Sequence, residues 1–153
     1  MITWKKGFTI PELLIVLALF GLLLALGAWS VSSARARVRD AQRVSDVALL
    51  RQSLQQYFLQ ASTYPVSTGV NLGQPGANAD RLAGAGFVGM NDISTPVYLS
   101  KIPVGPGTNE FYRYHGGANG YSLRFQTESD TDIGKANVYY AHATTIDQTD
   151  TEK

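Results

Sequence analysis

The chain of 153 residues has no cysteine, only two histidines and nearly balanced charge, with 13 Lys and Arg against 12 Asp and Glu. Without cysteine there is no disulfide framework, no thiolate zinc site and no cysteine nucleophile, and the redox compartment is left open. Imidazole chemistry rests on His115 and His142 alone. A formal charge of +1, with no block of five like charges, leaves no electrostatic footprint for nucleic acid, so no specific nucleic-acid partner is expected. The length suits about one domain with a single modest core. What the chain has in excess is apolar sequence near its N-terminus, followed by a polar, glycine-rich remainder.

Every residue from 13 to 29 is apolar or Gly, and Phe8, Ile10 and Val31 extend the run. A helix over residues 8–31 would be ~36 Å long, enough to cross a hydrocarbon core of ~30 Å. A secretory signal peptide is the competing reading, with Lys5 and Lys6 as its basic start and Ala34-Arg35-Ala36 as a cleavage site. The run is long for that, and Glu12 sits at its edge. Pro11 inside a helix would lose a hydrogen bond and clash one turn back, whereas in a helix starting at about Phe8 it falls among the first four amides, which lack partners anyway. Glu12 at the membrane edge costs about 2–3 kcal/mol on insertion scales. It therefore needs a partner, or it snorkels to the headgroups and eases the helix dipole.

The segment Lys5-Lys6-Gly7-Phe8-Thr9-Ile10-Pro11-Glu12-Leu13-Leu14-Ile15-Val16 resembles the class III signal sequence of type IV pilins and of the pseudopilins of type II secretion. The likeness lies in the short basic leader with Lys5 and Lys6, Gly7 before the cut, Phe8 after it, and Glu12 at the fifth mature position. It implies that a prepilin peptidase cuts between Gly7 and Phe8 and methylates the new Phe8 amine. It also implies that Glu12 and Phe8 of neighbouring subunits meet during assembly. In similar filaments the helix melts between a pair of helix-breakers. Gly21 and Gly27 bracket that stretch here, but the usual proline is absent and Leu22, Leu23 and Leu24 favour helix.

Helical spacing continues through Ala34, Val38, Ala41, Val44, Val47 or Ala48, Leu50, Leu54, Tyr57 or Phe58 and Ala61, so an amphipathic half-helix over 32–61 follows the span. Arg39, Gln42, Arg43, Asp46, Arg51, Gln52 and Gln56 fall on its other faces. Arg35, Arg37, Arg39 and Arg43 compete with Lys5 and Lys6 under the positive-inside rule. They read either as a solvated face or as contacts to headgroups or neighbouring subunits. The pilin resemblance places the N-terminus inside.

Pro65 ends the helix by disfavouring helical geometry at Tyr64, and a long helix ending in Tyr-Pro is similar to the major pseudopilin. Residues 66–109 read as a loop-heavy connector with one short helix over 78–85. Residues 99–106 resemble the pseudopilin segment leading into the sheet, with Gly105 in place of the usual Asp. Strands are expected over 111–115, 121–127 and 137–142, with a turn over 116–120 and the tail from Thr144 fraying.

Asp130-Thr131-Asp132-Ile133-Gly134 alternates oxygen ligands but lacks the further carboxylates of an EF-hand. Major pseudopilins place calcium in a C-terminal loop, which makes Asp130 and Asp132 candidate ligands against a plain turn. No other cofactor is expected. His115 and His142 show no serine or carboxylate constellation in sequence, the 116–120 glycines lack a phosphate-loop lysine, and the strand aromatics read as core.

The expected fold is α+β and pilin-like: a long N-terminal helix, membrane-spanning and then amphipathic, packed on a small antiparallel sheet of about three strands. The expected divisions are a leader 1–7, a span and filament core 8–31, an amphipathic half 32–61, and a loop-rich connector with a β-sheet head over 62–153. The expected role is a non-enzymatic subunit of a type IV pilus or related surface filament. The first alternative is the major pseudopilin of a type II secretion system, and the second is a membrane-anchored binding domain that never polymerises. Partners would be other copies in a helical filament, prepilin peptidase, the inner-membrane pilus or type II secretion machinery, and the bilayer before assembly. The location would be the cytoplasmic membrane with the N-terminus in, then a surface or periplasmic filament. Intact-mass spectrometry of purified filaments should give a chain beginning at a methylated Phe8; a start at Met1 or after Ala36 would contradict the pilin reading.

Overall fold

The computed structural model describes residues 7–151, so the basic leader residues Lys5 and Lys6 lie outside the described residues. The chain divides into two compact units, 1–35 and 36–153. In the first, the helix α1 (Ile10–Ala61) begins two residues later than expected. The Thr9 carbonyl accepts the Leu13 amide at 3.1 Å, which makes Thr9 the N-cap and puts Pro11 in the first turn. The stretch from Gly21 to Gly27 is helical in the single chain. The apolar window of this helix buries nothing within the chain, and Leu13, Leu17, Phe20 and Leu24 are all exposed.

In the second unit, α1 ends at Ala61, where Ser62 turns into the left-handed region at φ 55° while its amide still bonds the Phe58 carbonyl. The next strand is β1 (Ser67–Leu72). It is followed by β2 (Arg81–Ala83), β3 (Gly86–Val88), β4 (Val97–Leu99), β5 (Tyr112–Gly116), β6 (Tyr121–Gln126), β7 (Val138–Ala141) and β8 (Ile146–Asp147). One antiparallel sheet runs β1-β5-β6-β7-β8 and a second runs β3-β2-β4.

The three expected strands are present as β5, β6 and β7, but the sheet is larger than expected and a second accompanies it. The expected helix over 78–85 is instead the β2–β3 hairpin. Asn78 and Gly86 adopt positive φ, and Gly84 lies so close to the Thr95 carbonyl that a side chain there would collide. The apolar residues of that stretch serve strand pairing, with Leu82 fully buried opposite Phe87. The tail is also ordered further than expected, since β8 pairs with β7.

The core is formed by one face of α1 against both sheets. Val47, Leu50, Leu54 and Tyr57, spaced by three and four, meet Leu72, Leu82, Ile102, Tyr112, Tyr114, Leu123 and Tyr139. The Tyr-Pro corner closes it: Tyr64 stacks on Phe58 at 4.6 Å and meets Tyr121 edge-on at 4.9 Å, while the Tyr114 hydroxyl donates to the Pro65 carbonyl at 2.8 Å. That bond passes over Gly116, where any side chain would displace both partners. Leu54 is fully buried against this core, so Leu54→Ala should destabilise the head by about 2–5 kcal/mol, read from denaturant unfolding followed by near-ultraviolet circular dichroism of the tyrosines.

Candidate functional site

Two places carry the chemistry: the start of α1 and a charged cluster where α1 meets the head. At the start, Gly7 has nothing close beside it and Phe8 is 81% exposed. Glu12 turns back on the helix end. Its Oε2 accepts the Thr9 amide at 3.0 Å and the Thr9 hydroxyl at 2.9 Å. This is one half of a capping box, in which the carboxylate three residues into the helix satisfies the N-cap amide. A carboxylate at the head of an apolar helix thus has a local partner in the single chain. The sequence held the signal in the Thr9-x-x-Glu12 spacing, which was not used to identify it.

The cluster is built on the buried stripe of α1, which does not follow the expected Val38–Ala41–Val44 path. Val38 is 69% exposed, while Asp40 and Arg43 are buried, continuing upward the stepping of Val47, Leu50 and Leu54. Arg43 is therefore not part of a solvated arginine face. Its Nε and Nη2 donate to Glu110 at 2.6 and 2.8 Å, Nη1 to Asp40 at 2.7 Å, and Nη2 also to Glu128 at 2.7 Å. Arg39 donates to both Glu128 oxygens. Asp40 in turn accepts the Glu128 and Ser129 amides at 2.9 and 2.7 Å, as well as the Ser129 hydroxyl. The loop ahead of β5 closes on the third carboxylate, since Glu110 Oε2 accepts the Gly107 amide at 2.9 Å. A Cβ on Gly105 would lie 2.5 Å from Glu110 Cγ. At Gly105, where the resemblance has Asp as the usual residue, the adjacent carboxylate is that of Glu110.

These contacts set the titration of the cluster. Hydrogen bonds from Arg39 and then Arg43 hold the Glu128 carboxyl down to about 2. Arg43 holds Glu110 below the ordinary range. Burial pushes Asp40 up, but the hydrogen bonds from Ser129 and Glu128 outweigh it and leave the carboxyl lowered. Beside them Asp46 is raised by burial, opposed by the hydrogen bond it accepts from Tyr112 at 2.9 Å.

Asp130 and Asp132 are exposed on a turn closed by the Thr131–Gly134 bridge. Asp130 accepts the Ala136 amide at 3.2 Å. Among the described residues no group of three or more His, Asp or Glu side chains comes together as a metal site. The histidines do have neighbours that the sequence concealed: Asp147 lies beside His142, and Ser122 and Asp150 lie beside His115.

A long N-terminal helix, apolar and exposed in its first half and packed on antiparallel sheets in its second, is a pilin-like α+β architecture. The family model for the prokaryotic N-terminal methylation motif matches residues 5–28. That match covers the start of the chain alone and supports a type IV pilin-like reading of it. No curated protein and no solved structure matches the chain.

Because Glu128, Glu110 and Asp40 titrate lower in the folded head than in an unfolded chain, their contribution is complete above about pH 5 and fades as the pH falls toward 2. Arg43→Met should cost about 3–5 kcal/mol near pH 7, where it leaves the buried Asp40 and the half-buried Glu110 without their cation. The gap to wild type should narrow near pH 3, where those carboxyls take up protons. Denaturant unfolding at the two pH values measures it, and a constant gap would contradict this account.

Proposed function

We propose that the chain is a structural subunit that polymerises through its N-terminal helix into a type IV pilus or related surface filament, after cleavage between Gly7 and Phe8 and methylation of the Phe8 amine. The supporting observation is the outward face of α1. Every exposed position in residues 41–61 is Ala, Gln, Ser or Leu. The charged residues of that stretch all bond toward the head: Arg43 in the cluster, Asp46 to Tyr112, and Arg51 to the Ala143 carbonyl at 3.3 Å. A helix face meant for water usually carries about a quarter to a third charged residues. A face without any suits burial against other copies, while the exposed Arg35 and Arg37 separate it from the apolar run of residues 13–29. In this reading residues 1–7 are leader, 8–31 first the membrane anchor and then the filament core, 32–61 the amphipathic half and 62–153 the head. The subunit catalyses no reaction. It waits in the cytoplasmic membrane with its N-terminus inside.

Glu12 is the assembly residue in this scheme. In the single chain its carboxylate rests on Thr9. In the filament the cationic Phe8 amine of a neighbouring copy is the stronger partner, because a charge-assisted bond in an apolar core exceeds a neutral one. The exchange fixes register: a copy displaced along the axis leaves a charge unpaired, at a cost of several kcal/mol. The pseudopilin of a type II secretion system is the second reading, favoured by the buried Tyr64-Pro65 corner. Loss of secretion on deleting the gene would select it, and loss of surface fibres the first. Glu12→Leu should leave insertion and cleavage intact while sheared filaments are lost. Wild-type filament yield with correct cleavage would overturn the role given to Glu12.

A further inference from the structure

Of the six asparagines in the chain, one, Asn119, is followed by glycine. It sits at the tip of the central hairpin, in the loop over 117–120 between β5 and β6, where the Gly117 amide donates to the Gly120 carbonyl at 2.9 Å. An Asn-Gly pair in a hairpin ordinarily serves the turn, because both residues reach positive φ at little cost. Here the asparagines at positive φ are Asn78 and Asn109, and the glycines at positive φ are Gly69, Gly73, Gly76, Gly86 and Gly134. Positive φ therefore does not account for the pair at the hairpin tip.

The pair has a second property, an open electrophile beside an open nucleophile. Asn119 is exposed, and among the described residues its carboxamide makes no hydrogen bond. Gly120 brings no side chain to obstruct an approach to the Asn119 carboxamide. Its amide donates no hydrogen bond among the described residues, and the residue is buried, so the free N–H is a cost to the folded loop. The other five asparagines lack these conditions. Leu72, Ala79, Asp92, Glu110 and Val138 follow them, each with a Cβ beside the nitrogen. The Asn71 amide group donates to Gln74 at 2.7 Å, Asn137 Oδ1 accepts the Val138 amide at 2.8 Å, and the Asp92 amide donates to the Gly89 carbonyl at 3.1 Å.

We propose that Asn119-Gly120 is a self-modification site, at which the head converts its own asparagine to a carboxylate with water as the co-reactant. The Gly120 nitrogen gives up its proton to base and attacks Asn119 Cγ. The new C–N bond closes a succinimide, and the side-chain nitrogen leaves as ammonia with the proton that Gly120 gave up. The ring nitrogen bears no hydrogen, so closure also removes the unpaired N–H. Water then opens the ring. Addition at Cγ breaks the bond just made and leaves aspartate, while addition at the backbone carbonyl carbon leaves the chain running through the side chain, as isoaspartate. One water enters and one ammonia leaves, with no change of oxidation state.

The modification falls at a joint. The Ala118 carbonyl, next to Asn119, accepts the Thr63 hydroxyl at 3.2 Å and the Tyr64 amide at 3.4 Å, so the hairpin tip holds the chain where it leaves α1. The last turn of α1 carries no basic residue. A helix C-terminus is its negative end, and a new carboxylate beside it is unfavourable. Isoaspartate also lengthens the backbone of the loop. Both products loosen the tip from Thr63 and Tyr64. None of this depends on the filament reading, because every group involved belongs to the head.

Peptide mapping by mass spectrometry tests the proposal on the full chain, aged in detergent micelles in heavy-oxygen water at mildly alkaline pH. The peptide containing residue 119 should turn into two acidic products, each carrying one heavy oxygen where the amide nitrogen was lost, with the isoaspartyl form in excess. Peptides containing the other five asparagines should stay amidated. Mildly acidic buffer should slow the conversion, because the Gly120 nitrogen must lose its proton to attack. Asn119→Gln, whose longer side chain closes a larger ring more slowly, should keep its amide. In hydrogen–deuterium exchange the aged chain should show about twofold to fivefold less protection at Tyr64 than the fresh chain, while the buried part of α1 keeps its protection. Retention of the Asn119 amide for as long as the other asparagines keep theirs, or equal protection of Tyr64 in the fresh and the fully converted chain, would overturn the proposal.

Discussion

The guanidinium of Arg43 is buried at 2% exposure and has to be satisfied by groups that come from far along the chain. Asp40 lies one turn away on α1, Glu110 just ahead of β5, and Glu128 just beyond β6. One side chain therefore fixes where the helix, the connector and the central hairpin meet. The apolar core below it tolerates small adjustments of packing, but a forked, multiply bonded cation does not. The glycines of the connector follow from the same requirement, since the Glu110 side chain lies over Gly105 and Gly107 and leaves no room for a Cβ.

The N-terminal end solves the opposite problem. There an apolar helix has no core of its own to enter, and the lone carboxylate near its start is satisfied by the N-cap threonine. A helix N-terminus offers unpaired amides and a partial positive charge, so a carboxylate is cheapest at this position. The two units thus use charge differently. In the head it is buried and networked to define a fixed arrangement, while at the apolar end it is held by local bonds to Thr9.

Much of this was legible in the sequence. The apolar run, Pro11 and Glu12 marked the start of the helix to within two residues, and Tyr64-Pro65 marked its end. The alternating aromatics marked β5, β6 and β7 because period-two patterning survives wherever one sheet face is buried. Short strands escaped for a physical reason: β2, β3 and β4 have three residues each, too few to show a period, although Leu82 and Ala83 are buried and Phe87 and Leu99 pack on the core. The ion cluster escaped because the stripe was read by hydrophobicity. Asp40 and Arg43 continue its spacing but not its chemistry, and their partners lie dozens of residues away. The Asp150 contact with Ser122 was equally invisible, since nothing local in a polar tail indicates which strand it will cross.

The position of the cluster also bears on how the head can be separated from its helix. The compact second unit begins at Ala36, and the first residues that bond the sheet side are Arg39 and Asp40. A soluble fragment trimmed to the apolar core alone, starting near Val44, would keep every buried leucine of α1 yet leave Glu110 and Glu128 without their cations and the Ser129 amide without its acceptor. The boundary of an autonomous head is thus set by where the last carboxylate finds its counter-charge, about one helical turn above where the hydrophobic stripe ends.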